Sequence, residues 1–440
     1  MAEFQRPASE AEFAENFAQI KPAMNSTEAY YESSRCLFCY DAPCTQACPT
    51  SIDIPLFIRQ INSGNVVGAA RTIYASNYFG RACGQVCPTD VLCEGACVYT
   101  HQDIKPIEIG RLQAFATQQA IEKDIGLFHR AQENGRSIAV IGAGPAGICC
   151  ACELRRTGFA VDIFEAKGRP SGLAVHGIAP YKITNEAVLE EMDYLSRQFG
   201  FKVHYNSPVI GKPDLERLKR DYDAVFIGIG LGTTADIRIP GEDLASCVGA
   251  VEFIEQLRLN HHKTTVGKRV IVLGGGNTAM DAASESARMG AESVTLCYRR
   301  SKEQMRAYGF EYDLAKSVGV NALFNVIPTE IVGQGDVEGV KFVRTQSEEN
   351  KIAVIPDSEF IEPADMVIKA TGQVKLGGIL SQIEGLQTDD SGCIVVNAKG
   401  QTTNPRYFAG GDAANGGREV VDAAAEGKRA ADGIREFLAA

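Results

Sequence analysis

The chain has 440 residues, 45% of them hydrophobic and 22% charged, enough apolar content for two or three buried cores and too much for a disordered tail. A net charge of -11 at pH 7 argues against a nucleic-acid partner, because neutralising phosphates takes clustered Lys and Arg. The longest apolar stretch, 138–152, is broken by Gly and Pro and is too short to span a bilayer, so no membrane association is expected.

The N-terminus, MAEFQRPASEAEFAENF, is acidic where a signal peptide needs a basic start and an apolar run, which predicts no export. Eight of the fourteen cysteines follow between Cys36 and Cys97. The first run reads C-x2-C-x4-C-x3-C-P from Cys36, and the second C-x3-C-P-x4-C-x3-C from Cys83. A cubane cluster needs four soft donors converging on one point, and such short spacings deliver several of them at once, so the runs predict iron-sulfur ligands and an electron carrier. Spacing alone assigns four cysteines to each run. Two zinc sites are the first alternative, since C-x2-C also opens zinc knuckles, but the other pairs lack the repeated short-hairpin spacing. A disulfide framework is the second, set against a long acidic chain with no signal peptide. Thiols that must stay reduced predict a cytoplasmic location.

After a charged linker, EKDIGLFHRAQENGR, the composition changes to β-rich apolar runs with Gly-rich turns, and a new domain is expected from Ser137. The stretch SIAVIGAGPAGICCACELRRTGFAVDIFEAK reads as strand, turn, helix and strand. Gly142, Gly144 and Gly147 form a G-x-G-x-x-G turn, so the backbone from Gly142 through Ala143, Gly144, Pro145 and Ala146 can approach a pyrophosphate at the helix N-terminus. Glu165, at the tip of the second strand, is placed to accept from ribose hydroxyls. Cys149, Cys150 and Cys152, behind the turn, read as packing residues.

The pattern recurs in KRVIVLGGGNTAMDAASESARMGAESVTLCYRRSKEQMR, with Gly274, Gly276 and Ala279 as its fingerprint. Here the second strand ends in Arg299 and Arg300, with Arg306 beyond, which favours a ribose phosphate over a bare hydroxyl pair. The alternative is that these arginines coat a solvated surface. The C-terminal segment QTTNPRYFAGGDAANGGREVV reads as a strand into Gly410-Gly411-Asp412, a loop and a helix opening near Glu419. Such a segment completes the first dinucleotide fold, with Asp412 toward the flavin ribityl chain, unless Asp412 is only a turn or capping residue. The first fold is therefore expected to hold FAD and the second, inserted within it, NAD(P)H. YDAVFIGIGLG, ending near Gly232, and ADMVIKATGQ, ending near Gln373, are the expected crossings.

The two cysteine runs, ASNYFGRACGQVCPT, PIEIGRLQAFAT, IGAGPAG, GGGNTAMD and AGGD together resemble the electron-input subunits of dihydropyrimidine dehydrogenase, of the PreT type, over nearly the whole chain. The wider group includes the glutamate synthase small subunits, which tend to carry an acidic residue where this chain has Leu112-Gln113-Ala114-Phe115. The resemblance implies an α/β protein with an all-helical N-terminal iron-sulfur domain, followed by two nested Rossmann-like domains for FAD and NAD(P). On that reading 1–125 binds two 4Fe-4S clusters, 137–240 with 372–440 binds FAD, and 241–371 binds NAD(P). It implies that Cys36, Cys39, Cys44 and Cys97 hold one cluster, and that Cys48, Cys87, Cys93 and Gln113 hold the other, leaving Cys83 spare. Without the resemblance Gln113 is an ordinary polar helix residue.

The same resemblance puts Gly172, Leu173, Lys182, Gly411, Asp412, Glu419 and Val420 among the FAD-binding positions. Gly275, Gly276, Asn277, Thr278, Ala370, Thr371 and Gly372 fall with Arg299, Arg300 and Arg306 on nicotinamide-binding ones. Ser171-Gly172-Leu173 departs from the group's usual Gly-Gly-Leu, and Gly309-Phe310-Glu311 from a Pro-containing turn. No catalytic acid or base is expected, since flavin alone converts hydride to single electrons. Cys36-x2-Cys39 precedes both turns and Cys297 has no mate nearby, which argues against disulfide reduction. Pyrimidine reduction needs an FMN barrel for which these domains leave no room, so the resemblance implies an FMN-containing catalytic partner of the PreA type in a heterotetramer. Feeding glutamate synthase or another ferredoxin-linked acceptor is one alternative reading, and redox sensing without turnover is another.

Overall fold

The computed structural model describes residues 4–348 and 351–439. The first three residues of the acidic N-terminal segment and the last residue of the C-terminal one lie outside them. The chain forms two compact units, one of Met1–Gln19, His176–Tyr181 and Gly232–Val374, the other of Ile20–Val175, Lys182–Leu231 and Lys375–Ala440.

The larger unit begins with helices and, among the described residues, has no strand before Ser137. Helix Ile54–Asn62 buries Ile54, Phe57, Ile58 and Ile61, a spacing that puts all four on one face, and Asp53 caps it by accepting from the Leu56 N–H. That face meets Ala69, Ile73, Leu112, Phe115 and Ala116 in one core. Helices Gly80–Val86 and Ile109–Glu122 approach backbone to backbone. A Cβ on Gly84 would stand 2.7 Å from the Gly110 carbonyl oxygen, so only glycine permits this crossing.

The rest of this unit is a doubly wound layer. Its five parallel strands lie in the order Tyr407–Ala409, Ala224–Ile227, Ser137–Ile141, Ala160–Phe164 and Lys202–His204. Strand order reverses at Ser137–Ile141, which opens a crevice at its carboxyl end. The C-terminal helix Val420–Ala439 packs on helix Pro145–Arg156 so closely that a Cβ on Gly427 would lie 2.1 Å from the Ala146 carbonyl oxygen. The chain's last element therefore belongs to the first turn.

The smaller unit has its own parallel sheet, ordered Cys247–Gly249, Met366–Lys369, Arg269–Leu273, Ser293–Tyr298 and Asn321–Phe324. An antiparallel sheet, Val326–Gln334, Asp336–Glu348, Lys351–Val354 and Phe360–Pro363, is inserted before its last strand in sequence. Segments 232–235 and 372–374 run antiparallel, bridged at Thr234 and Gln373. Phe13 and Phe17, in and just after helix Glu10–Asn16, are buried with Tyr181, Leu257 and Met289. Asn16 and Arg288 exchange hydrogen bonds of 2.7 and 2.6 Å through their side chains and carbonyls. Among the described residues no helix is long and apolar enough to cross a membrane.

Candidate functional site

The helical part of the larger unit brings the cysteines together around two cavities, and each cavity draws on both sequence runs. Cys36, Cys39, Cys44 and Cys97 line the first, with Leu37, Ile54, Ile58 and Tyr99. Cys48, Cys87, Cys93 and Gln113 line the second, together with Cys83 and Val421. No three Cys, His, Asp or Glu side chains converge on a single ion among the described residues; the donors surround cavities instead. Four soft thiols around one space, and four thiols with an amide around the other, are donor sets suited to iron-sulfur clusters, the second with one donor to spare.

Burial raises the thiols. Cys44 is pushed up to about 11 by desolvation, and Cys36 and Cys93 rise for the same reason. Cys87 is raised first by its hydrogen bond with Cys83 and then by burial. Such thiols ionise when a metal takes the proton's place.

Gln113 is oriented by its own amide. Its Nε2 donates to the Gly80 carbonyl at 2.7 Å, which commits the nitrogen and leaves Oε1 as the atom that can serve as ligand. Gly80 opens the helix that carries Cys83 and ends at Cys87, so one short helix sets both the thiol and the amide. The start of that helix is held by Glu191, which accepts from the Arg81 and Ala82 N–H groups at 2.7 and 2.9 Å and from the Tyr74 hydroxyl at 2.9 Å. Burial pushes Glu191 up to about 7 despite these donors. Lys21 donates to the Cys87 carbonyl and the Thr89 hydroxyl, both at 3.0 Å, adding a positive charge beside the second cavity. Nothing in the sequence marked Glu191, Lys21 or Val421, because their roles come from long-range contacts.

At the first glycine-rich turn, Gly142 has φ +97°, and a Cβ there would meet the Gly228 carbonyl oxygen at 2.4 Å. Helix Pro145–Arg156 starts at Gly144 with no side-chain cap, so its first N–H groups stay available to a phosphate. Glu165 reaches this turn through a bond of 2.8 Å from the Ala143 N–H, and Gly172 lies against it, with Leu173 opening the next short helix. Lys182 is buried in the same unit. Gly411 has φ +70°, and Asp412 accepts from the Arg418 N–H at 3.2 Å while burial raises its carboxyl. Glu419 and Val420 lead into the C-terminal helix, whose Val421 lines the second cavity. These features fit FAD, and one helix thus touches both the turn and the cavity.

The second turn repeats the design with a different rim. A Cβ on Gly274 would meet the Ala370 carbonyl oxygen at 2.4 Å, and Gly276 starts helix Asn277–Arg288 uncapped, with Thr278 exposed on its first turn. The Arg306 N–H donates to the Gly275 carbonyl at 3.1 Å, and Asn277 accepts from the Tyr308 N–H, so the loop after the second strand folds back over the glycines. Arg299 and Arg306 are exposed and Arg300 half-buried, and among the described residues none of the three meets a carboxylate. Ala370, Thr371 and Gly372 follow strand Met366–Lys369 beside Gly274, Gly372 with φ +112°. Cys247 and Cys297 lie on strands separated by two others, roughly 14 Å apart at strand spacing and beyond disulfide reach. Cys149, Cys150 and Cys152 are fully buried, as packing residues should be.

Two family models match. Residues 13–125 match dihydropyrimidine dehydrogenase domain II with its 4Fe-4S cluster, and residues 136–427 match pyridine nucleotide-disulphide oxidoreductase. The glutamate synthase [NADPH] small chain of Escherichia coli (strain K12) is 34% identical, over 96% of this chain and 94% of its own. The NAD-dependent dihydropyrimidine dehydrogenase subunit PreT of the same organism is 31% identical, over 96% of this chain and 97% of its own. The expected preference for the second type is thus not reflected in overall identity. Among solved structures, Mycobacterium tuberculosis FprA in complex with NADPH matches with TM-score 0.58 at 20% identity, over 69% of this chain and 84% of its own. The thioredoxin reductase of T. acidophilum matches with TM-score 0.55 at 23% identity, over 69% of this chain and all of its own. At such identities these two establish the fold alone.

Proposed function

The chain belongs to the pyridine nucleotide-disulphide oxidoreductases that carry a dihydropyrimidine dehydrogenase-type 4Fe-4S domain, and from that premise we propose that it is the electron-input subunit of a dihydropyrimidine dehydrogenase. At the coarser level it is an NAD(P)H-dependent flavin iron-sulfur oxidoreductase. The finer reading adds an FMN-containing partner that reduces uracil or thymine, in a heterotetramer. Gln113 carries it: a neutral amide, its nitrogen tied to Gly80, stands at the position where the glutamate synthase subunits tend to be acidic.

A bound flavin accepts hydride from a nicotinamide and releases electrons singly, the conversion that iron-sulfur clusters require. The residues of this chain bind and align. The Gly142–Gly147 turn receives the FAD pyrophosphate, Glu165 the ribose, and Asp412 the ribityl side. The Gly274–Ala279 turn receives the nicotinamide dinucleotide, and Arg299, Arg300 and Arg306 face its ribose phosphate, which supports a preference for NADPH. Val421 joins the C-terminal helix to the second cavity, so Cys48, Cys87, Cys93 and Gln113 would hold the cluster on the flavin side, which would supply one-electron chemistry there. Cys36, Cys39, Cys44 and Cys97 would hold the other cluster, beside Leu37, 57% exposed, and the fully exposed Tyr40, side chains that would meet the acceptor subunit. Thiols that need reducing surroundings support a cytoplasmic location.

The arginines also favour a second reading, a glutamate synthase small subunit, because those relatives are named for NADPH. Uracil-dependent NAD(P)H oxidation by the chain with an FMN partner supports the first reading; glutamate formation with a synthase large subunit, and no uracil dependence, replaces it with the second. Arg299→Ala with an artificial acceptor should lower kcat/KM for NADPH about tenfold and leave NADH unchanged; an equal loss for both removes the phosphate assignment.

A further inference from the structure

Lys21 lies beside the second cavity but belongs neither to its donor set nor to either glycine-rich turn. Its Nζ donates to the Cys87 carbonyl and to the Thr89 hydroxyl, both at 3.0 Å, and Cys87 and Thr89 both line that cavity. The two acceptors are neutral, so these bonds fix the ammonium without cancelling its charge. The backbone beside it is fixed as well: Arg111, on the helix that carries Gln113, donates through Nε to the Pro22 carbonyl at 2.9 Å. Lys21 is half-buried, where water and salt screen a charge less than they do at the surface.

The turn that links Cys87 to Cys93 has other bonds to hold its shape. The Cys87 carbonyl also accepts from the Thr89 N–H at 2.8 Å, and the Thr89 carbonyl accepts from the Glu94 and Gly95 N–H groups at 2.9 and 3.0 Å. Glu94, the carboxylate beside Cys93, is engaged by the Gly110 N–H at 2.9 Å. What Lys21 adds is therefore charge, a cation fixed at the backbone of a cavity cysteine. The first cavity is served differently, since Arg59, the cation near Cys36, is exposed and lies over the Phe38 ring, 4.9 Å from its centroid. Reducing a cluster adds negative charge, and a cation held close by favours the reduced form.

We infer that Lys21 sets the potential of the second cluster, its ammonium at the Cys87 carbonyl making the site of Cys48, Cys87, Cys93 and Gln113 easier to reduce. This rests on the proposed reading that those four residues hold a cluster. The full-length protein, anaerobic and loaded with iron-sulfur and FAD, is titrated with dithionite in the presence of redox mediators, and each cluster's midpoint is read by electron paramagnetic resonance. The same titration in Cys44→Ala, which should retain the second cluster alone, tells the two apart. Lys21→Gln keeps a donor for the Cys87 carbonyl and removes the charge. It should lower the one-electron reduction constant of the second cluster about tenfold, which is about 59 mV, and leave the first cluster unchanged. Lys21→Arg, which keeps the charge, should hold the wild-type midpoint. If Lys21→Gln moves neither midpoint, or moves both alike, the assignment fails. It fails too if Lys21→Gln loses the iron of the second cluster, which would make Lys21 a structural residue. Wild-type protein that assembles no cluster at these four residues would instead sink the reading underneath, a result distinguishable from the others.

Discussion

The two thiol cavities of the helical part differ in ways that assign them different work. The first is ringed by four cysteines and rimmed by exposed Leu37, with exposed Tyr40 next in sequence to Cys39. The second has four cysteines and an amide, touches the C-terminal helix at Val421, and is braced through Glu191 of helix Asn185–Phe199. One cavity lies beside exposed side chains and the other against the C-terminal helix that packs on the first glycine-rich turn's helix. Two sites built from the same two cysteine runs thus acquire direction from what surrounds them, because cluster potential responds to ligand charge, hydrogen bonds and solvent exposure.

The strongest way to break this comparison is to remove one ligand from each cavity. Cys93→Ala and Cys44→Ala should both lower acceptor-linked turnover at least about 100-fold, more than outer-shell changes around metals typically cost. Flavin reduction by NADPH in a stopped-flow trace should survive in both. The two must then part company: NADPH should still reduce the remaining cluster in Cys44→Ala and should fail to reduce it in Cys93→Ala. Equal behaviour in electron paramagnetic resonance spectra would abolish the direction assigned here.

A gentler change sharpens it. Gln113→Glu puts a negative charge on the second cluster only, and its midpoint potential should fall by on the order of 60 mV, tenfold in a one-electron equilibrium. The other cluster should not move. If both shift, or neither, Gln113 does not ligate one of them.

The smallest effect concerns the brace. Glu191 is raised from 4.5 to about 7 by burial. The folded state therefore holds a proton that the unfolded chain has lost between these values, and stability falls as pH rises through that window. Glu191→Gln cannot titrate, so its thermal midpoint relative to wild type should improve from pH 5 to pH 8, by an amount on the order of 2 kcal/mol in stability. A constant difference across that range would mean that Glu191 does not titrate there.

Much of this was legible in the sequence, and the rest was not for identifiable reasons. Both glycine turns could be read because Gly142 and Gly274 are required by backbone approaches of 2.4 Å, a constraint local enough to leave a motif. The pairing of Cys97 with Cys36, and of Cys48 with Cys87, could not be read from spacing, since it depends on how helix Ile54–Asn62 returns the second run to the first. Only the resemblance supplied it. The antiparallel sheet from Val326 to Pro363 went unread, although Gly335, at φ +91° between its two longest strands, marks the hairpin. The burial of Phe13 and Phe17 against Leu257 and Met289 left no local signal at all.

Iron and acid-labile sulfide counted per chain, in protein prepared without oxygen, test the central claim most directly. Two cavities each holding a four-iron cluster predict roughly eight irons and eight sulfides per chain. Four of each, or zinc in their place, would contradict it.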